Sequence, residues 1–365
     1  MSLLFVNFSY ANIDIKTKKY YNITAVVTLL EENYMKNVTL ADIAAKTGYS
    51  INTVSHALHD KPDISKKTKE YIIKIANEIG YIANSSASAL RSGRTNSVAI
   101  ICGDISNPYF SIMIKEIEFD LKSHGYSAFI INTDENEELE RKAIISAINK
   151  GADGIIICPV QKSKNNIEFI KEKKIPYILI ARRFDNDDSN YVICDDENGG
   201  KLAAMHLFGE KKEKILFLNG PLHISSAKER LSGIKKAYKE AGISENKLYV
   251  AEIDIINTTN IERILNRYKD YEAVIAFSDL VAMQVCHFLK KTKRRIPEDI
   301  SVIGFDNIAS TFYFSPMLSS VTSSKRKLSS FAVETLMKMI SEDTAEPVNK
   351  VFNTKLILRD TTKSK

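Results

Sequence analysis

Residues 38–58 read VTLADIAAKTGYSINTVSHAL and predict two short helices joined by a tight turn. Thr39 is placed to cap the first helix, and Asp42 completes a variant of the capping box. Gly48 tolerates the positive φ that a turn needs, and Ser50 caps the second helix. The second helix has one narrow apolar stripe, which consists of Val54, Ala57 and Leu58. Its remaining surface is small and polar.

A third helix is expected after the ISKKT segment at residues 64–68. Apolar residues recur there at helical spacing, at Tyr71, Ile72, Ile75, Ala76 and Ile79. Two short helices joined by a glycine turn and braced by a third form a helix-turn-helix, whose second helix enters the major groove of DNA. A slim polar face suits hydrogen bonding to base edges. An ordinary helical hairpin with a polar face is the alternative interpretation.

Positive charge is concentrated near these helices. The net charge is +6, and residues 36–97 hold nine Lys and Arg against five Asp and Glu, whereas residues 1–35 balance at zero. This is a modest electrostatic footprint for a polyanion such as DNA. The linker at residues 81–97, YIANSSASALRSGRTNS, is small and basic, with Leu90 standing alone among Ser and Ala. Such a segment forms a helix only where a partner supplies contacts.

Residues 38–97 resemble the DNA-binding head of LacI-family bacterial repressors. The resemblance rests on the T-x-x-D-I-A pattern, the glycine turn, T-V-S, I-S-x-x-T, I-G-Y and S-G-R-T, and it continues to about residue 361. It implies a cytoplasmic homodimer that binds near-palindromic, double-stranded operator DNA. It also implies hinge helices that form on DNA and a leucine, by alignment Leu90, that wedges into the minor groove.

The expected DNA-contacting residues follow from the helix positions and from this resemblance. Specificity is expected from Ile51, Asn52 and His56 in the second helix, and from Leu90. The full expected set is Thr39, Ser50, Ile51, Asn52, Thr53, Ser55, His56, Thr68, Tyr81, Asn84 and Leu90.

After Val98 the chain alternates short β-branched runs with helical stretches. The first series is SVAIIC, SAFIIN, DGIIIC and PYILIA, and a second series is KILFLN, EAVIAFS and ISVIGFD. This rhythm predicts parallel sheet in two similar α/β halves, with a ligand between them at the carboxyl ends of the strands. The resemblance makes the halves the lobes of a periplasmic-binding-protein-like core whose chain crosses between lobes three times.

The predicted fold is an all-α helix-turn-helix head followed by an α/β, two-lobed, periplasmic-binding-protein-like core. The domain borders inside the core come from the resemblance. The expected segments are 35–82 for the head, 83–97 for the hinge helix and linker, 98–192 with 322–350 for the N-lobe, and 193–321 with 351–361 for the C-lobe.

Polar and aromatic residues cluster where the strands of the core end. The candidate effector-binding residues are Asn107, Tyr109, Phe110, Arg182, Arg230, Asp279 and Asp306. Hydroxyls of a small ligand donate to carboxylates and accept from arginine, and an aromatic ring stacks on a sugar. Each residue alone has a structural alternative, such as a helix cap or an ion pair on its own helix. Ala181 and Ser278 stand where sugar-responsive members commonly carry Asp and Asn, which leaves the ligand's identity open.

Other function classes have little support in the sequence. There is no GxSxG, HExxH, Gly-rich phosphate loop with Lys or metal-spaced His/Cys cluster, so we expect no enzyme, metal or cofactor. A sugar-processing enzyme using Asp279 and Asp306 is one alternative, and a free-standing sugar-binding protein is another. The four widely spaced cysteines are expected to be buried, reduced thiols. No apolar run approaches the roughly 18 residues that span a membrane, so no membrane partner is expected.

Residues 1–34 are expected to be a non-native or disordered extension. Met35 lies shortly before Thr39, where proteins of this resemblance begin, and the preceding segment has neither a helical period nor a charge excess. A genuine extension that packs on the head through the ITAVVTLL run is the alternative.

Overall fold

The computed structural model describes residues 38–82, 93–257, 260–308, 316–342 and 348–363. It divides into two compact units, a head and a core, with the division after Ser85. The predicted extension at residues 1–34 and the predicted DNA contacts Asn84 and Leu90 lie outside the described residues.

Within residues 38–82 the head contains α1 (Leu40–Thr47), α2 (Ile51–Leu58) and α3 (Lys66–Glu78). The predicted capping box is confirmed, because the Thr39 amide donates to Asp42 Oδ2 at 2.8 Å and the Asp42 amide donates to Thr39 Oγ1 at 3.3 Å. Gly48 ends α1 with a φ of 74°. Ser50 Oγ then accepts from the Thr53 amide at 3.1 Å and caps α2. Local chemistry therefore sets the turn between the two helices.

A small apolar cluster holds the head together. Its buried members are Ile43 from α1, Val54 and Ala57 from α2, and Ile72 and Ala76 from α3. The predicted stripe on α2 is thus confirmed for Val54 and Ala57, and Leu58 packs against the cluster as a half-buried residue. Because so little of α2 is needed for packing, most of its surface stays available.

The described part of the core contains two six-stranded sheets. The first has the order β11-β5-β4-β3-β1-β2 and is parallel throughout. The second has the order β12-β10-β9-β8-β6-β7, in which β12 alone is antiparallel to its neighbour. The strands are β1 Ser97–Cys102, β2 Ser127–Asn132, β3 Gly154–Ile157, β4 Tyr177–Ile180, β5 Tyr191–Cys194, β6 Ile215–Asn219, β7 Leu248–Glu252, β8 Ala273–Ala276, β9 Ser301–Phe305, β10 Ser319–Thr322, β11 Asn349–Phe352 and β12 Lys355–Ile357.

Helices cover both faces of each sheet. They are α4 Pro108–Ser123, α5 Glu137–Asn149, α6 Asn165–Glu172, α7 Asp196–Gly209, α8 Ser225–Glu240, α9 Ile261–Arg267, α10 Asp279–Lys291 and α11 Lys325–Ser341. Two consecutive residues of β1 show that both faces of the first sheet are covered. Ile100 packs in a buried cluster with α4 and α11, and Ile101 packs in another with α5 and α6. Burial on both faces explains why these strands are continuous apolar runs.

Within the described residues the chain crosses between the two sheets three times, as the resemblance implied. It leaves the first sheet after β5, returns after β10 to form α11, and leaves again between β11 and β12. Strands β5 and β11 belong wholly to the first sheet and run past the expected borders at residues 192 and 350. The exact domain borders stay a prediction.

Helices α7 and α8 approach each other unusually closely. A Cβ at Gly233 would lie 1.8 Å from the carbonyl oxygen of Glu197, and one at Gly200 would lie 2.2 Å from that of Arg230. Both contacts are with backbone, which has no flexible end to move away. The two glycines therefore fix the spacing of α7 and α8, which carry residues of the cleft described below.

Gly233→Ala is expected to destabilise the protein by about 1–3 kcal/mol, the usual cost of overpacking a close contact. In a helix without such a contact the same change stabilises by about 1 kcal/mol, so the sign of the effect is diagnostic. Urea denaturation of the full chain measures it. An increase in the free energy of unfolding would contradict the close approach.

Candidate effector cleft and DNA-facing surface

A cleft of about 950 Å³, including the part that is open to solvent, lies at the carboxyl ends of the strands of both sheets. Residues that follow strands of both sheets line it. This is the position where α/β sheets bind ligands. Six of the seven predicted effector residues line the cleft, namely Asn107, Tyr109, Phe110, Arg182, Arg230 and Asp306.

Arg230 is held in the cleft by two hydrogen bonds and a ring contact. Its Nε donates to Asp196 Oδ1 at 2.7 Å, and its Nη1 donates to the carbonyl oxygen of Phe277. The guanidinium carbon lies 4.1 Å from the centre of the Phe305 ring, a cation–π contact. Burial alone would lower the pKa of Arg230, but the carboxylates of Asp196 and Asp306 raise it. The cleft therefore contains a permanently charged donor in a fixed orientation.

Asp306 supplies the complementary acceptor. It follows β9 with a φ of 102°, a strained conformation for a residue with a side chain. Its carboxylate makes no hydrogen bond to any residue that the structure describes, while the Lys325 ammonium donates to its backbone carbonyl. Burial raises the pKa of Asp306, against the opposing effect of Arg230 and Lys325. An acceptor of this kind suits a ligand hydroxyl.

Arg182 is already paired inside the protein. Its Nη1 and Nη2 donate to the two carboxylate oxygens of Glu135 at 2.7 and 2.8 Å, and Nη1 also donates to the Pro159 carbonyl at 2.9 Å. The preceding Ala181 has a φ of 66°, which turns the chain sharply at the end of β4. Glu135 lines the cleft as well, and it was not predicted.

Asn107, Tyr109 and Phe110, at the start of α4, also line the cleft. Asn107 caps α4, accepting from the Tyr109 amide at 3.0 Å, so the helix-cap alternative applies to it. This leaves its amide nitrogen to donate to a ligand. Tyr109 and Phe110 meet edge to face with ring centres 5.4 Å apart. Burial raises the pKa of Tyr109 well above its ordinary value, so the phenol stays neutral.

Asp279 does not line the cleft, so the prediction of a direct ligand contact does not hold for it. It is fully buried at the start of α10. Its Oδ2 accepts from the Ile308 amide at 2.8 Å and its Oδ1 from Ser320 Oγ at 2.6 Å. Burial and the nearby Asp306 raise the pKa of Asp279 to about 8. Its carboxyl group braces the wall behind Asp306, and the neighbouring Ser278 lines the cleft instead.

Several residues that line the cleft were missed in the sequence. Asp196 and Lys325 begin helices after β5 and β10, two short strands that the sequence pattern did not indicate. Ligands of α/β sheets bind beyond the carboxyl ends of the strands, so the residues that follow each strand of both sheets were the candidates to examine. The residues missed include Glu135, Asp196, Phe277, Phe305 and Lys325.

The cysteines are unpaired, as expected, and Cys102, Cys158 and Cys286 are buried. Cys194 is half-buried instead. Burial raises the pKa of the Cys158 and Cys194 thiols, which line the cleft, to about 12. They are therefore neutral packing groups near pH 7.

The second helix of the head presents part of the predicted DNA-facing set. Ile51 and Asn52 are exposed, and His56 is partly exposed, with its Nδ1 2.6 Å from Asp63 Oδ2. Because a carboxylate only accepts, this contact assigns the proton to Nδ1 and leaves Nε2 for another partner. Ser55 is only 8% exposed, so little of its surface is available for the predicted DNA contact.

The other predicted DNA-contacting residues in the head either take part in helix caps or pack against the apolar cluster. Thr39 and Ser50 are exposed caps, and Thr53 and Thr68 donate their amides to the caps Ser50 and Ser65. Tyr81 packs, half-buried, against the apolar cluster. These residues stay predictions as DNA contacts.

Two family models together match most of the chain. Residues 39–84 match the model described as bacterial regulatory proteins, lacI family. Residues 95–359 match the model described as periplasmic binding proteins and sugar binding domain of LacI family. The chain belongs to the LacI family. It is a DNA-binding transcriptional regulator of that family, with the fold predicted for its head and core.

Known proteins agree with this assignment. The chain is similar to the HTH-type transcriptional repressor PurR of Vibrio vulnificus, at 30% identity over 89% of this chain and 98% of that protein. A Lac repressor dimer bound to operator and the anti-inducer ONPF shares the fold, with a TM-score of 0.79 at 23% identity over 90% of this chain and 100% of that chain. A LacI family regulator from Enterococcus faecium with bound ribose has a TM-score of 0.66 at 25% identity over 73% of this chain and 98% of that chain.

The Lac repressor in that structure is a dimer on its operator, and the transcriptional regulator CelR is known in complex with cellobiose. Across the part of the chain that the structure describes, no helix is both long enough and apolar enough to span a membrane. The same residues hold no cluster of His, Cys, Asp and Glu arranged for a metal ion.

Asp279→Ala is expected to lower the free energy of unfolding by about 1–3 kcal/mol, because the Ile308 amide and the Ser320 hydroxyl lose their buried partner. Asp306→Ala is the matched control. Its carboxylate accepts no hydrogen bond from a described residue, so we expect little loss or a gain in stability. Urea denaturation at pH 6 measures both variants. A larger loss for Asp306→Ala would mean that the two roles are reversed.

Proposed function

We propose that the chain is a cytoplasmic, homodimeric repressor that binds a near-palindromic operator and is controlled by a small sugar or sugar derivative in the core cleft. The observation that carries the effector assignment is the convergence of three side chains in one cleft, namely Arg230 from α8, Tyr109 from α4 and Asp306, which follows β9. A donor, an acceptor and aromatic surface meet there within one cleft. The assignment of a regulator, not an enzyme, is supported by relatives named as repressors.

The chemistry of the cleft favours a ligand with several hydroxyl groups. Asp306 accepts from a hydroxyl, and the amide of Asn107 donates to one. Tyr109 and Phe277 supply apolar surface on which a sugar ring packs. The bound ribose of the Enterococcus faecium regulator is a ligand of this kind.

The head binds DNA in two ways. Lys and Arg side chains and backbone amides contact phosphates, which supplies most of the affinity and its salt dependence. Ile51, Asn52 and His56 read bases in the major groove, where Asn suits adenine. By the family resemblance, Leu90 adds a wedge in the minor groove.

Coupling between the two sites follows from the way that the chain links the lobes. Ligand in the cleft contacts residues that follow strands of both sheets, so it biases the angle between the lobes. A change of that angle alters the spacing of the hinge segments that follow the two heads of the dimer. Such coupling is typically worth about 1–3 kcal/mol.

Arg230→Ala is expected to abolish the ligand response while operator binding by the full chain is retained, because the donor is removed and Asp196 is left unpaired in the cleft. Lys235→Ala, an exposed change on the same helix, is the control. Fluorescence anisotropy of labelled operator, with and without a sugar found by thermal-shift screening, measures the response. A normal response in the Arg230 variant would place the effector elsewhere.

His56→Arg is expected to shift the preferred base at its contact toward guanine by about 1–3 kcal/mol, since arginine binds guanine with two hydrogen bonds. The ring of His56 has only Nε2 left for a base, because Nδ1 is paired with Asp63. Selection from a random operator library, followed by sequencing, compares the two proteins. Identical selected motifs would show that His56 does not read a base.

A further inference from the structure

Glu135 occupies a place that the surrounding backbone leaves for it. It follows β2, and both it and Asp134 have left-handed φ values, 52° and 49°. The Glu135 carboxylate lies over Gly103, where an added Cβ would be 2.0 Å from Glu135 Oε1. The Glu135 amide also donates to the Gly103 carbonyl at 3.3 Å. The turn and the missing side chain at residue 103 thus direct a carboxylate into the cleft.

This carboxylate takes the position that an anionic ligand group would need. It accepts from both terminal nitrogens of Arg182, at 2.7 and 2.8 Å, which is the two-bond geometry that arginine offers to a carboxylate or a phosphate. The side chains of Arg182 and Glu135 are only 6% and 10% exposed. Their pairing is therefore little screened by water.

The other two cations of the cleft also have partners within the protein, since the Lys325 ammonium donates to the Asp306 carbonyl oxygen. Arg230 is paired with Asp196. The acidic and basic side chains that line the cleft are the carboxylates of Asp104, Glu135, Asp196 and Asp306 and the cations of Arg182, Arg230 and Lys325, so carboxylates outnumber cations. A phosphate or carboxylate brought into this cleft would meet Asp306 and Glu135 without an unpaired guanidinium.

We propose that Glu135 is a specificity-determining residue that makes the cleft select uncharged, hydroxyl-bearing effectors and exclude phosphorylated or carboxylated ones. It does so by holding Arg182 as an internal substitute for an anionic ligand. The proposal rests on the proposed effector site and names the class of ligand that this site accepts. Replacing Glu135 by a neutral residue exposes Arg182 and converts the same cleft into an anion site.

The test uses inorganic phosphate as the probe, because phosphate is the group that the cleft is proposed to reject. Thermal shift of the full chain is measured against phosphate concentration at constant ionic strength. The variants are wild type, Glu135→Gln, Glu135→Ala, the double variant Glu135→Ala/Arg182→Ala, and Glu138→Ala. The last variant removes an exposed carboxylate close in sequence. Glu135→Gln keeps the shape of the side chain if Glu135→Ala does not fold.

We expect Glu135→Gln to bind phosphate at least about tenfold more tightly than wild type, because a charge-assisted pair with Arg182 becomes available. Glu138→Ala should behave as wild type, and the double variant should lose the gain. Equal phosphate affinity in wild type and Glu135→Gln would overturn the proposal, and so would a gain that survives in the double variant.

A second titration separates this proposal from the proposed function. Wild type and Glu135→Gln are titrated with D-ribose and D-glucose, and with their phosphate esters. Binding of the neutral sugars but not the esters by wild type, with ester binding gained in Glu135→Gln, supports the proposal. Wild type that binds an ester more tightly than its parent sugar overturns the proposal while leaving the cleft as the effector site.

Discussion

The largely buried guanidinium of Arg230, held between Asp196 and the ring of Phe305, is the interaction on which the core's ligand site depends. A buried charge needs a partner, and the partner here starts α7 while Arg230 lies on α8. The two helices approach closely enough for this only because Gly200 and Gly233 lack side chains. The close packing of α7 and α8 therefore allows the ion pair, and the ion pair orients the donor that faces the ligand. A change in any of the three alters the cleft.

The cleft combines satisfied and unsatisfied groups. Arg182 and Arg230 have carboxylate partners within the protein, so their orientation is fixed before a ligand binds. Asp306 has a strained backbone and a carboxylate without a hydrogen-bond donor among the described residues. Such strain and incomplete pairing are tolerated where binding requires them. Behind it, Asp279 has a complete set of partners, so the wall remains stable while its surface stays available for a ligand.

Different parts of the molecule were predictable to different degrees. The head was predicted well because capping residues and a glycine turn act locally, as at Thr39 and Gly48. Most of the strands that read as apolar runs were found, whereas β10 reads SSVT and gives no such run although it is buried. The position after a strand located Asp306, whereas Asp279 also follows a strand but its carboxyl group is buried against Ile308 and Ser320. Glu135 lies in the acidic run TDENEE, and only its left-handed backbone and the space at Gly103 distinguish it from its neighbours.

The central claim is that ligand in the core cleft controls operator binding by the head. The most direct measurement is the affinity of the wild-type full chain for its selected operator and for random DNA, with and without a saturating neutral sugar identified by thermal shift. The account predicts a change of about 5- to 150-fold in operator affinity, with binding to random DNA nearly unchanged. A sugar that stabilises the core but leaves operator affinity the same would contradict it.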